Sequence, residues 1–179
     1  ARAFADAFTS AGAVSCWCVR CQAVVASSAG KATDPVVQLI AADAGYLACE
    51  GLSLEEGRNF SPYEVGHSAK VVLIGDNVRR RLFGSSSAVG QELSAGGERY
   101  RVVGVLARQG ALFGTGIDSG IICPIGPDEA SCTLTVRTQA TGSGAALAEA
   151  GRLMAALRRL PPGGEADFEI VQADSAQAT

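Results

Sequence analysis

At 179 residues the chain can be one domain or two small ones, and either can bury a substantial core. Its formal charge of −3, with no basic stripe, argues against nucleic acid as a partner. The 47% hydrophobic fraction is mostly alanine, valine and leucine, and no stretch reaches the roughly 20 apolar residues of a membrane helix.

In chain order, residues 2–10 read as the tail of a helix. Residues 13–26, rich in valine and cysteine, read as one long strand or two, giving way at Ser27-Ser28-Ala29-Gly30. Asp34-Pro35 punctuates before a strand over 36–40. Asp43 is placed to cap a short helix through Tyr46 and Leu47 that closes at Gly51.

The stretch 57–106 is the most legible. Ser61-Pro62-Tyr63-Glu64 is a capping box with proline at the first helical position. Residues 70–74 form a short β-branched apolar run ending at Gly75, the pattern of a buried strand. Asp76 can then cap a helix whose Val78 and Leu82 share one face, with Gly84 as its stop. Arg79, Arg80 and Arg81 are consecutive, so they point around that helix and read as solvated surface. Residues 91–94 and 98–106 flank Ala95-Gly96-Gly97, a tight hairpin turn.

Beyond it, residues 109–116 are a glycine-rich loop carrying Leu112 and Phe113 between Gly110 and Gly114. These two side chains are either tucked under the loop or left for a partner to cover. Residues 133–138 alternate, with Leu134 and Val136 on one face. Residues 145–160 predict a helix with a Leu147, Ala150, Met154, Leu157 stripe, ended by Pro161-Pro162. Phe168 and Ile170 mark a final strand, and 173–179 a frayed end.

No catalytic, cofactor or metal residue emerges. Gly30-Lys31 is followed by Ala32 and lacks the first glycine of a phosphate loop, so no ATP binding is expected of this stretch. Gly114, Gly116 and Gly120 miss the dinucleotide spacing, and no G-x-S-x-G surrounds any serine. The one histidine, His67, has no marked partner, and Glu55-Glu56 sit beside a glycine turn as solvated charges. Six cysteines, Cys16, Cys18, Cys21, Cys49, Cys123 and Cys132, read as disulfides or buried thiols rather than as a zinc site. Strand alternation puts Cys16 and Cys18 on one face, Cα atoms roughly 6.5–7 Å apart and poorly placed to bridge, with Cys21 on the other. Cys123 and Cys132 are the candidate disulfide, because Pro124, Gly126 and Pro127 can turn the chain between them.

The order of short motifs carries a resemblance. GR-x-F from Gly57, VVLIG-x-x-V-x-x-x-LFG from Val71, VGQ-x-L from Val89 and Y-x-VVGVL from Tyr100 together resemble the MacB-like periplasmic core domain. This domain belongs to ABC-transporter permeases of the MacB, FtsX and lipoprotein-releasing type. The likeness continues in DSGIICPI from Asp118 and more loosely in Asp167-Phe168. It implies an α+β fold. A porter-like α/β sandwich subdomain would take 1–56 and 133–175, an inserted β-rich sabre-like subdomain 57–132, and a disordered tail 176–179. It further implies a non-catalytic extracytoplasmic domain on the periplasmic side of the inner membrane, set between two membrane helices. Such a domain couples cytoplasmic ATP hydrolysis to substrate export or to activation of a periplasmic partner. The implied partners are the rest of the permease and its ATPase, in a homo- or heterodimeric transporter, and a periplasmic adaptor, lipoprotein carrier or hydrolase activator. In that setting Leu112 and Phe113 would contact an adaptor, a carrier or an apolar substrate. The competing readings are a small extracytoplasmic ligand-binding protein or enzyme, and a structural assembly domain.

Overall fold

The computed structural model describes residues 4, 7, 8, 11–34, 37–110, 116–126, 132–138, 143–159 and 170. The chain divides into two compact units, one of Ala1–Ala13 with Val136–Thr179 and a larger one of Val14–Thr135.

The larger unit is built on one mixed sheet. Its strands, in chain order, are β1 (Ala11–Val24), β2 (Ser27–Ser28), β3 (Lys31–Ala32), β4 (Val37–Ala42), β5 (Leu54–Gly57), β6 (Val71–Ile74), β7 (Glu92–Ala95), β8 (Glu98–Leu106), β9 (Gly120–Pro124) and β10 (Thr133–Thr138). Across the sheet they run β10-β1-β4-β9-β6-β8-β7-β2-β3, with β5 on β8; β1 belongs to this unit through residues 14–24 and β10 through residues 133–135. The pairs β4–β9 and β6–β8 are parallel, while β1–β4, β6–β9 and β7–β8 are antiparallel.

Side-chain alternation sends the central strands into two cores. Leu39, Ala41, Val72, Ile74, Val102, Val105, Ile121 and Cys123 join one, with Val78 and Leu82 of α3 (Asp76–Phe83) packed on them. Ile40, Ala42, Leu73, Val103, Leu106 and Ile122 join the other, with Phe60 and with Tyr46 and Leu47 of α1 (Tyr46–Glu50). Burial on both faces is why β6 reads as an unbroken apolar run. The fold is thus a mixed α/β one, dominated by the sheet.

Local signals in 57–106 match the structure closely. Ser61 caps α2 (Pro62–Gly66) with both arms of the capping box formed. The β7–β8 hairpin turns at Gly96 and Gly97, with φ of 59° and 84°, a pair of positive values that only a primed turn demands. Val78 and Leu82 are both buried, and Gly84 ends α3.

Several expectations need correcting. Asp76 is not the cap of α3; Gly75 is, and Asp76 sits in the first turn, buried, paired with Arg79 at 2.7 Å and Arg80 at 3.0 Å. Two of the three arginines are therefore bound to one carboxylate rather than merely solvated. Cys21 does not face away from Cys18, because a register shift between Val19 and Cys21 breaks the alternation and both pack on the same core. Ser27 and Ser28 are a short strand, not a linker. Glu55 and Glu56 lie in β5, whose half-exposed alternation pairs it with β8.

In the smaller unit, α4 (Ser143–Leu157) forms as the spacing predicts, but its buried face differs. Leu147 and Leu157 are 39% and 46% exposed, whereas Ala146 is 7% exposed. With six alanines and two glycines among fifteen residues, the helix is small and apolar nearly all round, so its leucines do not dictate which side packs. Phe4 and Phe8 stack at 5.4 Å between ring centroids. Pro161-Pro162, Asp167 and Phe168 lie outside the described residues, and Ile170 is exposed and in no strand.

Candidate functional site

The loop carrying Leu112 and Phe113 leaves the sheet at the end of β8 and returns through a short 3-10 turn (Ile117–Ser119) into β9. Both residues lie outside the described residues, but the base of the loop is well defined. Asp118 is buried, and its carboxylate accepts the backbone N–H of Gln109 at 3.0 Å and of Gly110 at 3.2 Å. One side chain thus clasps the outgoing strand end to the returning turn across nine residues. Such bonds, charge-assisted and shielded from water, are stronger than neutral ones.

The turn itself is fixed from below. Ser119 N–H donates to Gly116 O at 3.0 Å, and Gly75 N–H donates to Gly120 O at 2.9 Å. Asn77 Nδ2 at the start of α3 donates to Ser119 Oγ at 3.0 Å. Gly75 has an ordinary φ of −74°, so its lack of a side chain matters for space instead. A Cβ there would lie 2.3 Å from the Asp118 carbonyl oxygen and 2.4 Å from that of Ile117. The glycine of VVLIG and the aspartate of DSG, 43 residues apart, therefore build one loop base. Sequence reading noted both but gave Asp118 no task, because its partners are backbone amides that leave no mark in the residue pattern.

The ring of His67 stacks on Tyr63, 4.0 Å between centroids, with Nδ1 2.9 Å from the Tyr63 carbonyl oxygen, and Tyr63 is 70% exposed. Among the described residues no group of three histidine, cysteine or acidic side chains is gathered to hold a metal ion. In this structure no disulfide joins the six cysteines. Cys123 is buried in β9, where its sulfur accepts from Arg20 Nη1 at 3.6 Å, and Cys132 neighbours Cys16. Cys16 itself is pushed up to about 12, chiefly by burial and next by its hydrogen bond with Cys132. Nearby, Asp43 ties β1 to the turn before α1: it accepts from Ser15 Oγ at 2.9 Å, from the Cys16 N–H at 2.8 Å and from the Gly45 N–H at 2.9 Å. Asp43 and Asp118 are thus alike in holding backbone amides beside a turn.

The family pattern of the MacB-like periplasmic core domain matches residues 3–159. The chain belongs to that family. Among curated relatives, the macrolide export ATP-binding/permease protein MacB of Chromobacterium violaceum is 32% identical over 81 residues, 45% of this chain and 13% of that protein. The MacB protein of Sodalis glossinidius is 38% identical over 73 residues, 40% of this chain and 11% of that protein. The matched stretch is thus about an eighth of those relatives' length. Among solved structures, the extracellular domain of the noncanonic ABC-type transporter YknZ from Gram-positive bacteria superposes with a TM-score of 0.68 at 20% identity, covering 88% of this chain and 83% of that one. The periplasmic region of MacB from Actinobacillus actinomycetemcomitans gives a TM-score of 0.65 at 18% identity, covering 89% and 73%. At such identities these structures share the fold with this MacB-like domain. No helix among the described residues is long and apolar enough to cross a membrane.

Proposed function

We propose that this MacB-like domain works outside the cytoplasm as a non-catalytic coupling module of an ABC-transporter permease. It passes motion driven by cytoplasmic ATP hydrolysis to an exported substrate or a periplasmic partner. The observation that carries this reading is the family match across 3–159. The clasped base of the 109–116 loop supports it further, since a firm base is what a contact loop needs to transmit force. In this reading Leu112 and Phe113 form the contact for an adaptor, a carrier or an apolar substrate. Replacing both with serine in the full-length transporter tests it. Export or partner activation should fall at least tenfold while the melting temperature and basal ATPase rate stay near wild type. A fall in melting temperature of several degrees would instead make the pair core residues, since two buried apolar side chains are worth about 3–6 kcal/mol. Unchanged transport with unchanged melting would remove the loop from the mechanism.

A further inference from the structure

The larger unit begins at Val14 and ends at Thr135, and it carries a cysteine close to each end. Cys16 lies in β1 and Cys132 immediately precedes β10, the strand beside β1 in the sheet. Neighbouring contacts hold the two segments together: Trp17 Nε1 donates to Thr135 Oγ1 at 2.8 Å, and the buried Cys49 thiol to the Thr135 carbonyl at 3.5 Å. The Cys16 and Cys132 thiols hydrogen-bond to each other. We propose that Cys16 and Cys132 form a disulfide in the mature protein, stapling the larger unit shut where the chain enters and leaves it.

The sheet register separates Cys18 from Cys123. Cys18 pairs with Ala41 across one strand boundary and Ala41 with Cys123 across the next. Cys18 and Cys123 are therefore two strands apart, roughly 10 Å, beyond the 7 Å or so that a disulfide spans between Cα atoms. Cys49 is turned to the Thr135 carbonyl.

Access sets the order of the chemistry. Cys132 is exposed and Cys16 is 5% exposed. An incoming protein disulfide donor meets Cys132 first. The Cys132 thiolate attacks one donor sulfur, giving a mixed disulfide and releasing the other donor sulfur as a thiol. Cys16 then loses its proton and attacks the Cys132 sulfur, which expels the second donor thiol. Two electrons pass to the donor, and the two protons lost by the cysteines are carried by its thiols.

The proposal rests on the extracytoplasmic placement of the domain, where disulfides persist. The test uses full-length protein in intact cells, with free thiols blocked by N-ethylmaleimide before lysis and peptides mapped without reduction. A linked peptide holding Cys16 and Cys132 is expected. Alkylation of both, or a bond from Cys132 to Cys123, would overturn the proposal. Purified full-length protein treated with oxidised glutathione reads the pairing apart from the compartment. A link formed only there would overturn the bond in the mature protein and bring the placement down with it, while leaving the geometry intact. Failure in both settings would strike the geometry alone. Dithiothreitol should lower the melting temperature of the wild type by several degrees and leave that of Cys132→Ala unmoved; a wild type indifferent to reductant would also sink the staple.

Discussion

Glu64 offers a quantitative test of how α2 is fastened. Its Oε1 accepts from Arg58 Nη2 at 2.7 Å, and its Oε2 accepts from Arg58 Nη1 at 2.8 Å and from the Ser61 N–H at 2.8 Å. These bonds, the Arg58 one foremost and the Ser61 ones after it, hold the carboxyl at about 2 against a usual 4.5, although partial burial works the other way. Taken whole, that difference is worth about 3 kcal/mol of folding stability at neutral pH. Arg58 is 58% exposed in its side chain, so solvent screens the pair and about 1–2 kcal/mol is the expected share. The folded-state pKa is depressed, so the contribution is complete above the unfolded value and is lost as pH falls toward the folded one. Glu64→Gln should cost about 1–2 kcal/mol by urea denaturation at pH 7. The gap to wild type should shrink below half by about pH 3. A gap that stays constant or widens in acid would refute the assignment of the stabilisation to the charged carboxylate.

Gly75→Ala should cost about 2–3 kcal/mol, because its Cβ would strike two backbone carbonyls, and more than Gly84→Ala, where only the positive φ of 65° is strained and nothing lies within 4 Å. Urea denaturation of the two variants side by side checks this, and the reverse ranking would undo the close-approach argument. Asp118→Asn should cost about 1–3 kcal/mol and speed amide hydrogen exchange at Gln109 and Gly110 by at least tenfold. Unchanged exchange at both amides would mean that the carboxylate does not clasp the loop.

What could be read from the residues was whatever depends on near neighbours. The capping box at Ser61 and Glu64, the Gly96-Gly97 turn and the 71–74 run each state their structure within about five residues, and each appears in the fold. What could not be read depends on distant partners. The shift in β1 that turns Cys21 inward arises from pairing with β4. The acidic β5 becomes a strand only because β8 offers it an edge, and its Leu54-Glu55-Glu56-Gly57 pattern alone argues for a turn. Asp76 looked like a cap because its spacing was right, yet Arg79 and Arg80 claimed its oxygens. Asp118 was legible as part of a motif and silent as a clasp.

The strand order also dictates the timing of assembly on the ribosome. β4 sits between β1 and β9, and its parallel pairing of Leu39 with Ile121 spans some eighty residues of chain. At synthesis rates of about 5–20 residues per second, the β1–β4 hairpin waits roughly 4–16 s with one backbone edge unsatisfied and Leu39 and Ile40 uncovered. The β6 edge waits for the same late strand. The nascent chain is therefore sticky until β9 arrives, and a holdase on either side of the membrane has an obvious stretch to grip.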